Sequence, residues 1–213
     1  MAIKNLQDLF SESLDETQLT AKQKAVLRAS LKLFSDKGFD RTSTSDIAQL
    51  AGVSEGTVYK QFKTKDGILA AILGPFVQQV IPRAASEFSE TITATTYPSF
   101  EEFLRTVIKN RIIFVIDNQR QLRIVLQEII TDNNMRQTFT KLIQELVSGP
   151  LGQAISHYQQ AGLIVQWPVL RVFRYVAATI MSYAIPVALA GSSINTQKAT
   201  DEAAEFLLKG LKP

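Results

Sequence analysis

The sequence predicts an all-α protein, with a small N-terminal helical unit ahead of a larger helical domain. Three observations predict it. No stretch sustains the strict apolar–polar alternation of a half-buried strand. Apolar residues recur at spacings of three and four, as in Ile47, Ala48 and Ala51. Capping residues precede these runs and glycines close several of them: Thr20 with Gln23, Ser54, Thr64, and Ser99 with Glu102 at starts, Gly38 and Gly52 at ends.

In chain order, residues 1–19 form an N-terminal extension in which Ile3, Leu6 and Phe10 share a helical face, predicting a short amphipathic helix packed on its own protein. A helix from Thr20 to Phe39 follows, with Ala25, Leu27, Ala29, Leu31, Leu33 and Phe34 as its apolar positions. After the segment treated next, Lys65 to about Phe88 continues as a helix, bent at Pro75 or Pro82. Thr91 to Pro98 reads as a loop. Ser99 opens a helix through Phe103, Val107, Ile108 and Phe114, which ends in a turn at Asp117–Gln119. Gln121–Ile130 is a short helix, and Asp132–Asn134 separates it from a long one reaching Gln160, broken at Gly149–Pro150. Helices over Pro168–Ala190 and Thr196–Leu211 complete the chain.

Thr42 to Phe62, TSTSDIAQLAGVSEGTVYKQF, is the most informative stretch. Thr44 or Ser45 is read as the cap of a first short helix, and Ile47, Ala48 and Ala51 as its buried face. Gly52 supplies a left-handed residue that ends it. Ser54 caps a second helix whose inner side is Val58 and Phe62, leaving Glu55, Thr57, Tyr59, Lys60 and Gln61 outward. A short helix with a polar, basic outer face propped on another helix has the form that enters a DNA major groove.

Together with the preceding LFSDKGF and the following KTKDGIL, this stretch closely resembles the DNA-binding region of TetR-type transcriptional regulators, over about Thr20 to Leu73. The resemblance implies a homodimeric repressor, released from a two-fold symmetric operator when its C-terminal domain binds a small molecule. It divides the chain into a 1–19 extension, a 20–66 helix-turn-helix domain and a 67–213 effector-binding and dimerisation domain. It places bases or phosphates against Thr44, Ser54, Glu55, Gly56, Thr57, Tyr59, Lys60 and Lys65. Glu55 reads equally well as a helix-start charge favoured by the dipole.

Charge fits that division. Residues 20–66 hold nine Lys/Arg and five Asp/Glu, against one and four in residues 1–19 and thirteen and eleven in residues 67–213. Positive density thus sits where phosphates would be neutralised. The acidic N-terminal extension argues against a minor-groove arm, which needs Arg or Lys. The chain has no cysteine, which excludes disulfides and thiolate metal sites and fits a cytoplasmic protein. The apolar run Tyr175–Gly191 is short, preceded by Arg171 and Arg174 and interrupted by Pro186, and reads as a helix of a soluble protein rather than a membrane span.

The helix over Pro168–Ala190 is apolar on opposing sides and must be covered on both. With the last helix it predicts a four-helix dimer interface through Ala177, Ala184, Ala188, Ala203, Phe206 and Leu207. Effector contacts are expected among Phe103, Val107, Arg111, Phe114, Phe139, Ile143, Trp167 and Met181, with Arg111 as polar anchor. No cofactor, metal site or catalytic residue is predicted. His157 is the only histidine, Glu128 and Asp132 read as caps, and no phosphate-cradling glycine loop is present. The competing readings are a helical small-molecule binding protein without a DNA-regulatory role, and a helical-bundle enzyme.

Overall fold

The computed structural model describes residues 5–131 and 133–213, so Ile3 and Asp132 lie outside the described residues. Those residues hold α-helices and no strand: α1 Leu6–Asp15, α2 Ala21–Lys37, α3 Thr44–Ala51, α4 Glu55–Phe62, α5 Lys65–Pro75, α6 Ile81–Thr93, α7 Phe100–Thr131, α8 Asn133–Ser148, α9 Pro150–Gln160, α10 Val169–Ala190 and α11 Thr196–Leu211. Between Pro75 and Pro82, where a bend was expected, Phe76–Val80 forms a π-helical turn. Such a turn absorbs the hydrogen bond that proline cannot make. The turn expected at Asp117–Gln119 is a kink inside α7, where Asn118 alone leaves helical geometry (φ −117°, ψ 15°). The break at Gly149–Pro150 separates α8 from α9, with Pro150 in the first turn of α9, where its missing N–H costs nothing.

The described chain forms two compact units. One comprises residues 5–84 and 120–138. In it α1 lays Leu6, Leu9, Phe10 and Leu14 into the core, with Asn5 capping its start by accepting from the Asp8 N–H at 2.8 Å. The spacing of those four residues gives one apolar stripe, and burying each is worth about 1.5–3 kcal/mol. In the same unit α2 buries Val26, Leu27, Leu31 and Phe34, and the Phe76 ring centroid lies 5.8 Å from that of Phe10. Arg83 ties α1 down through Glu12 at 3.1 Å.

The other unit comprises residues 85–119 and 139–213. Its core gathers Phe88, Phe103, Leu104, Ile108, Ile155, Ile164, Val172, Ala203 and Leu207. Gln159 donates to the Val165 and Trp167 carbonyls, fixing the loop that carries Trp167. Gly152 is required by close approach: a Cβ there would lie 1.7 Å from the Val147 carbonyl oxygen. Gly152→Ala is therefore expected to cost about 2–3 kcal/mol by forcing the α8–α9 corner apart, measurable as a lower urea midpoint.

Candidate nucleic-acid interface

The helix-turn-helix is built from α3, the Gly52 turn and α4. Gly52 adopts φ 67°, ψ 34°, the left-handed conformation expected of it. The cap of α3 is Ser43, neither Thr44 nor Ser45: its hydroxyl accepts from the Asp46 N–H at 3.0 Å, and the Asp46 carboxylate reaches back to the Ser43 N–H at 3.0 Å. This reciprocal pair needs an acceptor three residues on, which Asp46 supplies only to Ser43. The Ser43 N–H and hydroxyl hold the Asp46 carboxyl below the usual carboxylate range. A lowered carboxyl stabilises the fold above its unfolded pKa, and that contribution fades as pH falls through the folded one. Ser43→Ala is expected to cost about 1 kcal/mol, read by thermal unfolding at neutral pH.

Ile47 and Ala48 are buried and Ala51 half-buried, so α3 turns the expected face inward. On α4, Ser54 accepts from the Thr57 N–H at 3.3 Å, and Val58 is buried while Phe62 is half-buried. Glu55, Gly56, Tyr59 and Lys60 are exposed and Thr57 is half-buried, its hydroxyl 2.9 Å from that of Ser54. A Cβ on Gly56 would meet nothing within 4 Å, so the protein's own packing does not demand the glycine. Thr44 donates to Glu55 Oε1 at 2.7 Å and lies 3.2 Å from the Tyr59 hydroxyl. The two helices are thus cross-linked at their outer edge. Lys60 makes no ion pair among the described residues. The chain then reverses at Lys63 in a γ-turn (φ 61°, ψ −48°), where the Thr64 N–H donates to the Phe62 carbonyl.

Lys65 is half-buried and engaged by the protein's own main chain, its ammonium donating to the Phe39 and Thr42 carbonyls at 2.9 and 3.2 Å and lying 4.3 Å from the Phe39 ring centroid. It staples the α2–α3 loop to the start of α5. Loop carbonyls are acceptors that no side-chain pattern reveals, which is why the sequence did not suggest this. Asp36 of α2 pairs with Arg120, 84 residues away, another link outside any local pattern.

The residues expected around an effector are not all brought together. Phe103 and Val107 are core, and Trp167 packs at the edge of the same cluster. Phe139 and Met181 are exposed, and Ile143 is half-buried. The Arg111 guanidinium lies 3.7 Å from the Phe88 ring centroid and 4.6 Å from that of Phe114, and burial pushes its pKa down to about 9. His157 is exposed, lining a surface groove of about 280 Å³ with Val147, Gln153 and Gln160.

The small residues expected at a subunit interface lie mostly in their own core: Ala184, Ala188, Ala203 and Leu207 are buried and Ala177 is half-buried. Helix α10 faces inward along Val172, Ile180, Ala184 and Val187, and outward along Leu170, Ala178, Met181, Ile185 and Leu189. That outward stripe is apolar and exposed, and Phe206 on α11 is 68% exposed. By length and composition, Lys65–Thr93 and Val169–Ala190 could each span a bilayer.

The sequence signature described as "Bacterial regulatory proteins, tetR family" matches residues 26–72. The fatty acid metabolism regulator protein of Bacillus subtilis (strain 168) is 28% identical over 134 residues, 63% of this chain and 64% of that one. The HTH-type transcriptional repressor KstR2 of Mycolicibacterium smegmatis is 29% identical over 92 residues, 40% of this chain and 44% of that protein. The chain thus aligns with less than two thirds of either relative's length. The solved structure of the transcriptional regulator FadR from Bacillus subtilis in complex with stearoyl-CoA superposes with a TM-score of 0.60, at 19% identity, covering 87% of this chain and 97% of that one. At that identity the likeness concerns the fold.

Proposed function

We propose that this chain, whose residues 26–72 match the tetR signature, is a ligand-responsive, homodimeric transcriptional regulator of the cytoplasm, a repressor released from a two-fold symmetric operator by a small molecule. The observation that carries this is the outer face of α4: Gly56, Tyr59 and Lys60 stand exposed beside the half-buried Thr57 on a helix whose other side is anchored by Val58. Lys60 meets guanine acceptors or phosphate, Thr57 base or phosphate, and Tyr59 phosphate through its hydroxyl. Gly56 admits close backbone approach. The N-termini of α3 and α4 offer free N–H groups at Thr44 and Glu55, while Ser54 is engaged as cap. Lys65 acts indirectly, holding the α2–α3 loop so that the start of α3 meets the backbone in register. The functional boundary between reading head and effector domain is set near residue 66.

Dimerisation is assigned to the outward stripe of α10 with Phe206 of α11. A second copy of the same stripe suits this face better than lipid does, because Arg171 and Arg174 interrupt it on the exposed side. Two α4 helices held about 34–36 Å apart would enter successive major grooves. The effector is assigned to the α7–α11 unit, and the stearoyl-CoA complex of the Bacillus subtilis regulator makes acyl compounds the first class to test. The ligand releases DNA only by its differential affinity for the two states, typically about 1–3 kcal/mol of coupling.

Duplexes selected from a random pool and titrated at several salt concentrations test the reading. The expected slope of log K against log salt is about −4.5 or steeper, the value for roughly five phosphate contacts. A flat salt response would leave only the alternative, a helical binding protein with no role on DNA.

A further inference from the structure

Arg111 is a half-buried cation of α7 that the regulator reading does not yet use. Its guanidinium carries five N–H donors. Asn110 Oδ1 takes those of Nε and Nη2, at 3.0 and 2.6 Å. No carboxylate pairs with it among the described residues. The remaining neighbours offer faces of rings: Phe88 at 3.7 Å and Phe114 at 4.6 Å. One and two turns back on the same side of α7 lie buried Val107 and Phe103. The other arginine of this stretch of α7 is handled differently, since Arg105 is bound to Glu101 at 2.8 Å and Asp201 at 2.7 Å.

A positive charge withdrawn from water without a counter-ion is costly, and chains place one where a partner arrives later or where removal would harm something else. The rings hold the guanidinium plane in place, and Asn110 occupies the Nε edge. The Nη1 end is left for a planar anion with two oxygens, the fork that a carboxylate or phosphate fits. The surrounding apolar side chains select for an anion attached to an apolar body.

We propose that Arg111 receives the anionic group of the effector, and that the effector is an amphiphile with an apolar chain and an anionic head. This rests on the reading that the α7–α11 unit binds a small molecule, and adds which residue reads its charge. The anion could be the carboxylate of a free fatty acid or a phosphate of an acyl-CoA.

The test uses the full-length protein and three ligands of one chain length: dodecanoate, dodecanoyl-CoA and dodecanol, all below their aggregation limits. Binding is read by the fluorescence of the single tryptophan, Trp167, and by calorimetry. Wild type is expected to bind at least one of the anionic ligands tenfold or more tightly than dodecanol. Arg111→Met should erase that preference while leaving dodecanol affinity unchanged, and Arg111→Lys should keep part of it. Which anionic ligand loses affinity identifies the source of the charge. Equal affinity of wild type for all three ligands overturns the proposal and leaves the acyl-effector reading intact, and needs no variant to fold. Equal loss for all three in Arg111→Met overturns it in favour of a packing role. Failure of every ligand to bind wild type removes both the proposal and the acyl reading.

Discussion

Replacing Tyr59 and Lys60 together by alanine is expected to abolish operator binding while leaving the dimer and its thermal unfolding as in wild type. Both side chains are exposed on α4, Tyr59 at 51%. Lys60 makes no ion pair among the described residues, and the only side-chain hydrogen bond described for Tyr59 is the 3.2 Å contact with the half-buried Thr44. Surface substitutions of this kind move stability by about 0.5 kcal/mol or less, and alanine favours the helix. On DNA the balance differs. Each lost base or phosphate contact costs about 1–3 kcal/mol, and two-fold symmetry doubles the loss, so affinity should fall at least about 100-fold. Anisotropy titration of a labelled operator measures the first quantity and calorimetric unfolding the second. Unchanged affinity would move the reading surface off α4.

The second large effect is expected on α10 and α11. Ile185→Glu with Phe206→Glu should convert the proposed dimer to a folded monomer at micromolar concentration. In one chain both side chains face solvent, Ile185 at 43% and Phe206 at 68%, so the monomer loses little packing. In an isologous interface each substitution appears twice, placing four carboxylates in an apolar contact. Burying unpaired charge costs several kcal/mol per ion, enough to weaken association by about 1,000-fold or more. Sedimentation velocity reads the mass, and far-UV circular dichroism verifies that the helices persist. Operator affinity should fall with the dimer, because one α4 alone reads half a site. A variant that stays dimeric would place the interface elsewhere, and the buried Ala184, Ala188 and Leu207 could not supply it, since their own chain already covers them.

The helix-turn-helix was legible in the sequence because its information is local. Gly52 is where a left-handed residue was needed, Ser54 caps the helix three residues before its bonded N–H, and Val58 faces in because its spacing puts it there. The amphipathic α1 was legible for the same reason: Leu6 and Phe10 lie four apart, and Leu9 and Leu14 extend the same face. The cap of α3 was less legible, because four hydroxyl residues, Thr42 to Ser45, are adjacent and only the position of Asp46 decides for Ser43. The effector region was less legible. Phe103, Phe139, Trp167 and Met181 are equivalent as letters, yet Phe103 is core and Met181 stands outside.

What the sequence by itself determined is the order of the helices, their caps and the face each turns inward, since periodicity and capping act within a few residues. Only the tertiary structure decided where Lys65 spends its charge, which side of α10 stays open, that Asp36 pairs with Arg120, and that Arg111 lies against two rings with no acid paired to it among the described residues. Each of these depends on atoms brought together from distant positions or on main-chain carbonyls, which every residue carries alike and which no pattern of side chains distinguishes.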